Sequence, residues 1–220
     1  TVSDGTRTAE GTIAVTVNAV DDGPASGIAL TSAAVDENDT GAIVGELSAI
    51  DPDGAPITFS VTDSRFVVDG TTLRLADGVA LDFETEGPVI NLDVTANDGV
   101  SDAVETLAIT VGNVNELPTG GAFATATDED VPIDIAVADI LANHTDPDGD
   151  TLTITRVNSP RFGSAELIDT DNDGTYDIVR YTSPDEFSGT DPFSYTVSDG
   201  QGGTVDGDAL VTVNLVNDLP

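Results

Sequence analysis

The chain has 220 residues, a hydrophobic fraction of 39% and a formal net charge of −35, its six basic residues all being Arg. So acidic a surface repels nucleic acid and anionic membranes, which excludes both as partners. The lack of Cys excludes disulfides, and the lack of Lys excludes Schiff-base chemistry and Lys isopeptide crosslinks.

Residues 1–22 hold one or two strands and no third, too few to be stable alone in water. Apolar and polar residues then alternate with period two, broken every few residues by Gly, Pro, Asn or Asp, as in an all-β sandwich or barrel. Strands are expected near 28–35, 43–50, 57–62, 65–68, 71–76, 88–96 and 104–112. Seven strands in one such stretch fit an immunoglobulin-like sandwich. A second set is expected near 121–126, 132–136, 151–158, 163–168, 175–182, 192–198 and 207–215, with a short helical turn within 137–145. No apolar run is long enough for a membrane helix, and no signal peptide is visible.

One ending is written three times. Ser3-Asp4-Gly5, Asn97-Asp98-Gly99 and Ser198-Asp199-Gly200 each lead through an alternating run to Pro24, Pro118 and Pro220. The spacing from Asp to Pro is 20 residues in the first two copies and 21 in the third. Such a period marks a repeated domain. The reading is therefore a strand fragment of a preceding repeat at 1–22, a sandwich at 23–117 and another at 118–220, the whole being a segment of a longer array. The joints at 20–24 and 114–118 end in Pro and contain no flexible Gly/Ser run.

Asp outnumbers Glu by 31 to 10, and short Asp side chains in loops are the commonest ligands for hard cations. Carboxylates two residues apart on an extended stretch point the same way, so Asp51 with Asp53, and Asp82 with Glu84, can each grip one ion. A cation reading is favoured over a charge that serves only for solvation.

Four motifs in order, Val35-Asp36-Glu37-Asn38, Asp51-Pro52-Asp53-Gly54, Leu81-Asp82-Phe83-Glu84 and Ala96-Asn97-Asp98-Gly99, precede an acidic linker ending in Pro118. Over 24–118 this pattern resembles the cadherin repeat. The resemblance implies Ca²⁺ ions at the joints. At one joint it points to Glu37, Asp82 and Glu84, to Asn113, Asn115 and Glu116 in the linker, and to Asp146, Asp148 and Asp199. At the other it points to Asp21, Asp22, Asp51, Asp53 and Asp98. The linkers are poorer in acids than that family's usual pattern. Residues 119–220 resemble the cadherin-like repeats of bacterial surface and RTX-type adhesins through Asp128-Glu129-Asp130, Asp146-Pro147-Asp148-Gly149-Asp150, Tyr181-Thr182-Ser183-Pro184 and Ser198-Asp199-Gly200. The Leu-Asp-x-Glu motif is missing there, which leaves Glu129 and Asp218 as candidate ligands at the C-terminal end.

Asp169, Asp171, Asp173 and Asp177 stand at positions 1, 3, 5 and 9 of a run with Gly174 at position 6, matching the first nine positions of a calcium loop. The same residues suit a hairpin turn. His144, the only His, has no partner for zinc or nucleophile activation and reads as a loop residue. The expected protein is not an enzyme. It is an extracellular, calcium-stiffened extender of a bacterial adhesin or surface filament, acting in cell adhesion and biofilm attachment. The alternative is a homophilic or polysaccharide-binding module of a secreted protein. The expected partners are calcium, neighbouring repeats and like chains paired through residues 1–22.

Overall fold

Strands form where apolar residues alternate with polar ones, because each such run offers one face to a core and the other to water. The computed structural model describes residues 1–18, 20–23 and 27–217. It contains two compact units, Thr1–Gly112 and Asn113–Pro220. Asp218, a sequence candidate for metal binding, lies outside the described residues.

The first unit opens with a small hairpin, β1 (Val2–Ser3) and β2 (Thr8–Ala9). It continues through β3 (Ala29–Leu30), β4 (Ala34–Asp36), β5 (Ile43–Ser48), β6 (Thr58–Val61), β7 (Phe66–Asp69) and β8 (Thr72–Leu75). A one-turn helix α1 (Phe83–Glu86) then leads into β9 (Val89–Asn97) and β10 (Asp102–Gly112). One sheet has the order β4-β10-β9-β6, the other β3-β5-β8-β7. β4 and β10 run parallel, with Val35 beside Val111, and β10 pairs antiparallel with β9. The two faces share a core that includes Val44, Leu73, Leu75, Leu92, Val94 and Ile109, each no more than 1% exposed.

The second unit repeats the plan. Its elements are β11 (Thr119–Gly120), β12 (Phe123–Asp128), β13 (Ile133–Ala136), α2 (Val137–Leu141), β14 (His144–Thr145), β15 (Thr153–Val157), β16 (Ser164–Ile168), β17 (Ile178–Thr182), β18 (Gly189–Ser198) and β19 (Thr204–Asn214). The sheets are β12-β19-β18-β15 and β13-β17-β16, with β11 paired to β14. β12 and β19 are again parallel, and β18 and β19 antiparallel. Tyr181, Tyr195, Ile140, Val179, Val197 and Val211 fill the core. Among the described residues no helix is long and apolar enough to cross a membrane.

The three hairpin endings correspond in register. Ser3 pairs with Thr8, Asn97 with Asp102 and Ser198 with Thr204. The loops between them run 4–7, 98–101 and 199–203, so the extra residue of the third copy sits in its loop. In the second and third copies the following run buries Ile109 and Val111, then Val211 and Val213. In the first copy the matching Val15 and Val17 are 79% and 87% exposed, and residues 10–18 belong to no strand.

Local chemistry accounts for the departures from expectation. The motif at 81–84 runs into α1, whose four residues are too few to reveal by periodicity. Asp82 caps it by accepting the Thr85 N–H at 2.8 Å. β17 begins at Ile178 rather than near 175, because Thr175 is held in the preceding turn by Asp173. His144 lies in β14 and is 7% exposed, its Nδ1 3.2 Å from the Ile140 carbonyl and its ring edge-on to Tyr195. Arg65, Arg74 and Arg180 pair with Asp63 and Glu86, Asp77, and Asp134, respectively.

Asp191 is fully buried and accepts three hydrogen bonds, from Phe162 N–H at 3.0 Å, Gly163 N–H at 2.7 Å and Tyr181 O–H at 2.9 Å. It thereby ties the 158–163 loop to β17. Burial, together with this hydrogen bond, pushes the Tyr181 phenol well above its ordinary value. Asp191→Ala leaves three donors without an acceptor and is expected to lower stability by about 3 kcal/mol in urea denaturation. Arg74→Ala, which breaks an exposed pair, is expected to cost under about 1 kcal/mol.

Candidate metal centre

Four of the carboxylates singled out in the sequence, Asp21, Asp51, Asp53 and Asp98, lie near enough at one end of the first unit for the charges of the other three to act on Asp21. Asp51 is 9% exposed; its Oδ1 accepts the Ala55 N–H at 2.9 Å, while its Oδ2 is buried with no hydrogen-bond partner. Asp53 Oδ2 accepts the Asp22 N–H at 2.9 Å, which draws the 20–23 segment to the loop after β5. Asp98 Oδ1 accepts the N–H groups of Val100 and Ser101, each at 2.7 Å. These bonds, that of Ser101 foremost, hold the Asp98 carboxyl below the usual range. Asp21 is shifted the other way, by desolvation first and then by the charges of Asp98, Asp53 and Asp51.

The second unit builds a corresponding arrangement. Asp146 Oδ1 accepts the Asp150 N–H at 3.1 Å, and its Oδ2 is buried and unpartnered. Asp148 Oδ2 accepts the Glu116 N–H at 2.7 Å. Asp199, 4% exposed, accepts three N–H groups on Oδ1, from Gln201, Gly202 and Gly203, and the Asn115 amide on Oδ2 at 2.9 Å. The Asn115 bond is the main cause of its lowered pKa. Gly203 allows this close approach, since a Cβ there would stand 2.0 Å from Asp199 Oδ2. Asn113, Asn115, Asp148, Asp150 and Gln201 line a cleft of about 310 Å³ beside these groups.

Residues 114–214 match the family model of a cadherin-like domain. Over those residues the second unit is similar to a cadherin-like domain, a family of adhesion-type modules. Solved structures extend the fold likeness over both units. Human protocadherin-24 EC1-2 aligns with 85% of this chain and 96% of its own at 19% identity, with a TM-score of 0.62. Mouse cadherin-23 EC22-24 aligns with 90% of this chain and 67% of its own at 19% identity, with a TM-score of 0.56. The protocadherin gammaB7 EC3-6 cis-dimer structure aligns with 89% of this chain and 51% of its own at 18% identity, with a TM-score of 0.53. At these identities the likeness is one of fold. No curated protein sequence matches the chain.

At the opposite end of β9 the first unit places Glu37, Asp82 and Glu84 around the start of α1. Glu37 is 2% exposed and its Oε2 accepts the Phe83 N–H at 2.6 Å. Asp82 is the cap of α1, and Glu84 lies in its first turn. In the second unit Glu129 takes the place of Glu37, for the N–H of Glu37 donates to Gly112 O and that of Glu129 to Asn214 O, both at 3.0 Å.

The 169–177 loop joins β16 to β17. It brings carboxylate oxygens of Asp169, Asp171 and Asp177 within 4.8 Å of one another. Asp173 is not in that group; its Oδ1 accepts from the Thr175 N–H and hydroxyl.

Asp150 is the residue that the ligand assignment passed over. The signal was present, as the third member of the alternating series Asp146, Asp148, Asp150, whereas Ala55 stands at the matching place in the first unit. Its carboxyl is pushed up by desolvation and then by Asp146, Asp148 and Asp199. A carboxyl raised in the folded state binds its proton before the unfolded chain does, so the stability it removes returns as pH falls through its folded value. Asp98 and Asp199 act in the opposite sense and lose their contribution as pH falls further, below the ordinary carboxylate range. The calcium-free protein is therefore expected to gain stability on mild acidification and to lose it at lower pH. Asp150→Asn should raise the melting temperature in EGTA at pH 7 and flatten the initial rise, as followed by circular dichroism.

Proposed function

We propose that the chain is a calcium-stiffened extender segment of an extracellular bacterial adhesin or surface filament, serving attachment and biofilm formation structurally. The carrying observation is Asp51 Oδ2, buried without a partner among Asp21, Asp53 and Asp98, together with its counterpart Asp146 Oδ2. A buried carboxylate oxygen with no donor needs a cation or a proton. The donor set is hard oxygen throughout, which suits Ca²⁺. Asp21, Asp22, Asp51, Asp53 and Asp98 would hold an ion in the first unit. Asn113, Asn115, Glu116, Asp146, Asp148 and Asp199 would do so in the second, with Asp150 added. Glu37, Asp82 and Glu84 would contribute at the other end of the first unit. Bound calcium supplies neutralising charge; the chain supplies fixed oxygens, oriented by its own backbone N–H groups. The converging oxygens of Asp169, Asp171 and Asp177 support a separate calcium loop, with Asp173 as an outer member.

Calcium that binds only the folded form stabilises it by roughly 2.7 kcal/mol at a hundredfold excess over Kd. Millimolar Ca²⁺ is therefore expected to raise the melting temperature over that in EGTA by about 10 °C or more. It is also expected to lengthen the particle in small-angle scattering. Asp51→Asn and Asp146→Asn should each remove part of the thermal gain, and Asp171→Asn should lower the ion count without changing the scattering. An unchanged shape and melting point in the wild-type chain would defeat the proposal.

We also propose that residues 1–22 are the closing strands of a further repeat. The β1/β2 register supports this, as does the apolar pattern of Ile13, Val15 and Val17, matching side chains that the later copies bury. In the isolated segment this run is suited to pair with a sheet edge of a like chain. Sedimentation is expected to show concentration-dependent association of the 220-residue chain, lost when residues 1–22 are deleted. Equal masses for both would remove the strand-pairing idea.

A further inference from the structure

Arg161 and Asp208 line one cleft of about 550 Å³ in the second unit, together with Asn158, Pro192, Ser194 and Leu210. Arg65, Arg74 and Arg180 are each paired with a carboxylate. Arg161 is not. Its guanidinium lies 5.1 Å from the centre of the Phe162 ring and makes no ion pair or hydrogen bond among the described residues. Asp208 is exposed, and its carboxylate accepts no hydrogen bond among the described residues. The two opposite charges share a cleft without closing on each other. They leave a planar donor fork and an acceptor available in one space.

The cleft is held in shape from below and from the side. Its floor is the outer face of β18 and β19, the two middle strands of their sheet, where Ser194 stands opposite Asp208 and Pro192 opposite Leu210. Its rim is the 158–163 loop. Asn158 N–H donates to Ser194 O at 2.8 Å, and Arg161 N–H to Pro192 O at 3.3 Å. Fully buried Asp191 takes the next two N–H groups, those of Phe162 and Gly163. A buried carboxylate is a costly way to fix a surface loop, and what it fixes here is the backbone that carries Arg161. The Asn158 amide donates to Ser194 Oγ at 2.7 Å, which leaves the Asn158 amide oxygen to accept and the Ser194 O–H to donate. β18 and β19 are hydrogen-bonded on both sides, so a peptide cannot add to them as a strand. Recognition here falls to side chains.

We propose that this cleft is a binding site for a neutral glycan. A hexopyranose carries adjacent hydroxyls that each donate and accept, and ring C–H groups that are apolar. The Arg161 fork donates to a pair of hydroxyls, Asp208 and Asn158 accept from others, and Pro192 and Leu210 cover the C–H face. Paired charges in the cleft suit a ligand without charge of its own, and a net charge of −35 repels an acidic one. The volume is that of an ordinary small-ligand site. This binding goes beyond the extender role and uses none of the proposed calcium ligands.

Amide NMR titration of the full 220-residue chain in EGTA tests this, with maltotriose, cellotriose and mannotriose as neutral probes and trigalacturonate as the charged one. At least one neutral trisaccharide is expected to give saturable shifts confined to 158–163, 192–194 and 208–210. Arg161→Ala and Asp208→Ala should each weaken that binding about tenfold. Both residues are exposed, so their variants are expected to fold, as a melting curve checks. Arg156→Ala removes an exposed charge outside the cleft and should leave binding unchanged. No saturable shift with any neutral sugar overturns the proposal, as does binding that survives in both Arg161→Ala and Asp208→Ala. Tighter binding of trigalacturonate overturns the neutral assignment. Because calcium is absent throughout, each of these failures leaves the calcium reading standing.

Discussion

Carboxylates crowded against a buried, unpartnered carboxylate oxygen are the constraint on which the rest of the molecule depends. Two unit charges about 4 Å apart repel by roughly 4 kcal/mol at an effective dielectric of 20. The chain tolerates this because each aspartate is fixed from behind. Asp51 and Asp146 each spend one oxygen on the N–H four residues on. Asp98 and Asp199 each fold a hairpin loop around a single oxygen that accepts two or three N–H groups. The second oxygens of Asp51 and Asp146 are buried without a hydrogen-bond partner among the described residues. Such fixing of each carboxylate is established during folding, so a ligand bound there would have little left to order.

The rigidity for that arrangement comes from the sandwiches. β9 and β18 are the long central strands, each hydrogen-bonded on both sides and alternating buried apolar residues with exposed or half-buried ones. Each runs from one carboxylate group to the other: from α1 to Asp98 in the first unit, and from the Ser183 turn to Asp199 in the second. Any slip in register would turn Val94 or Val197 out of the core, and both are fully buried. Core packing therefore sets the positions of the acidic side chains at the two ends.

Much of this was legible in the chain. Period-two alternation marked the strands, and the tripled hairpin ending marked the repeat. The Asp51–Asp53 and Asp146–Asp148 pairs were visible as spaced acids, but each sits in a turn, closed by the Gly54 or Gly149 N–H on the Asp51 or Asp146 carbonyl, rather than on an extended stretch. What was not legible depends on contacts between distant residues. Nothing local to Glu129 announces that its Oε2 is buried without a partner among the described residues. His144 read as a loop residue because its burial comes from Tyr195 and from Gly120, where a Cβ would meet the His144 ring at 1.9 Å. The Asp173 side chain was indistinguishable from its neighbours by spacing, and only Thr175 separates it from the converging group.

The two units differ mainly outside their ladders, and the differences trade charge between sites. Asn115 stands where the first unit has Asp21. An amide there donates to Asp199 and lowers its pKa, whereas Asp21 can only repel Asp98 and is itself pushed up. Asp150, standing where the first unit has Ala55, restores the lost carboxylate, now fixed to a loop of the sandwich rather than to the linker.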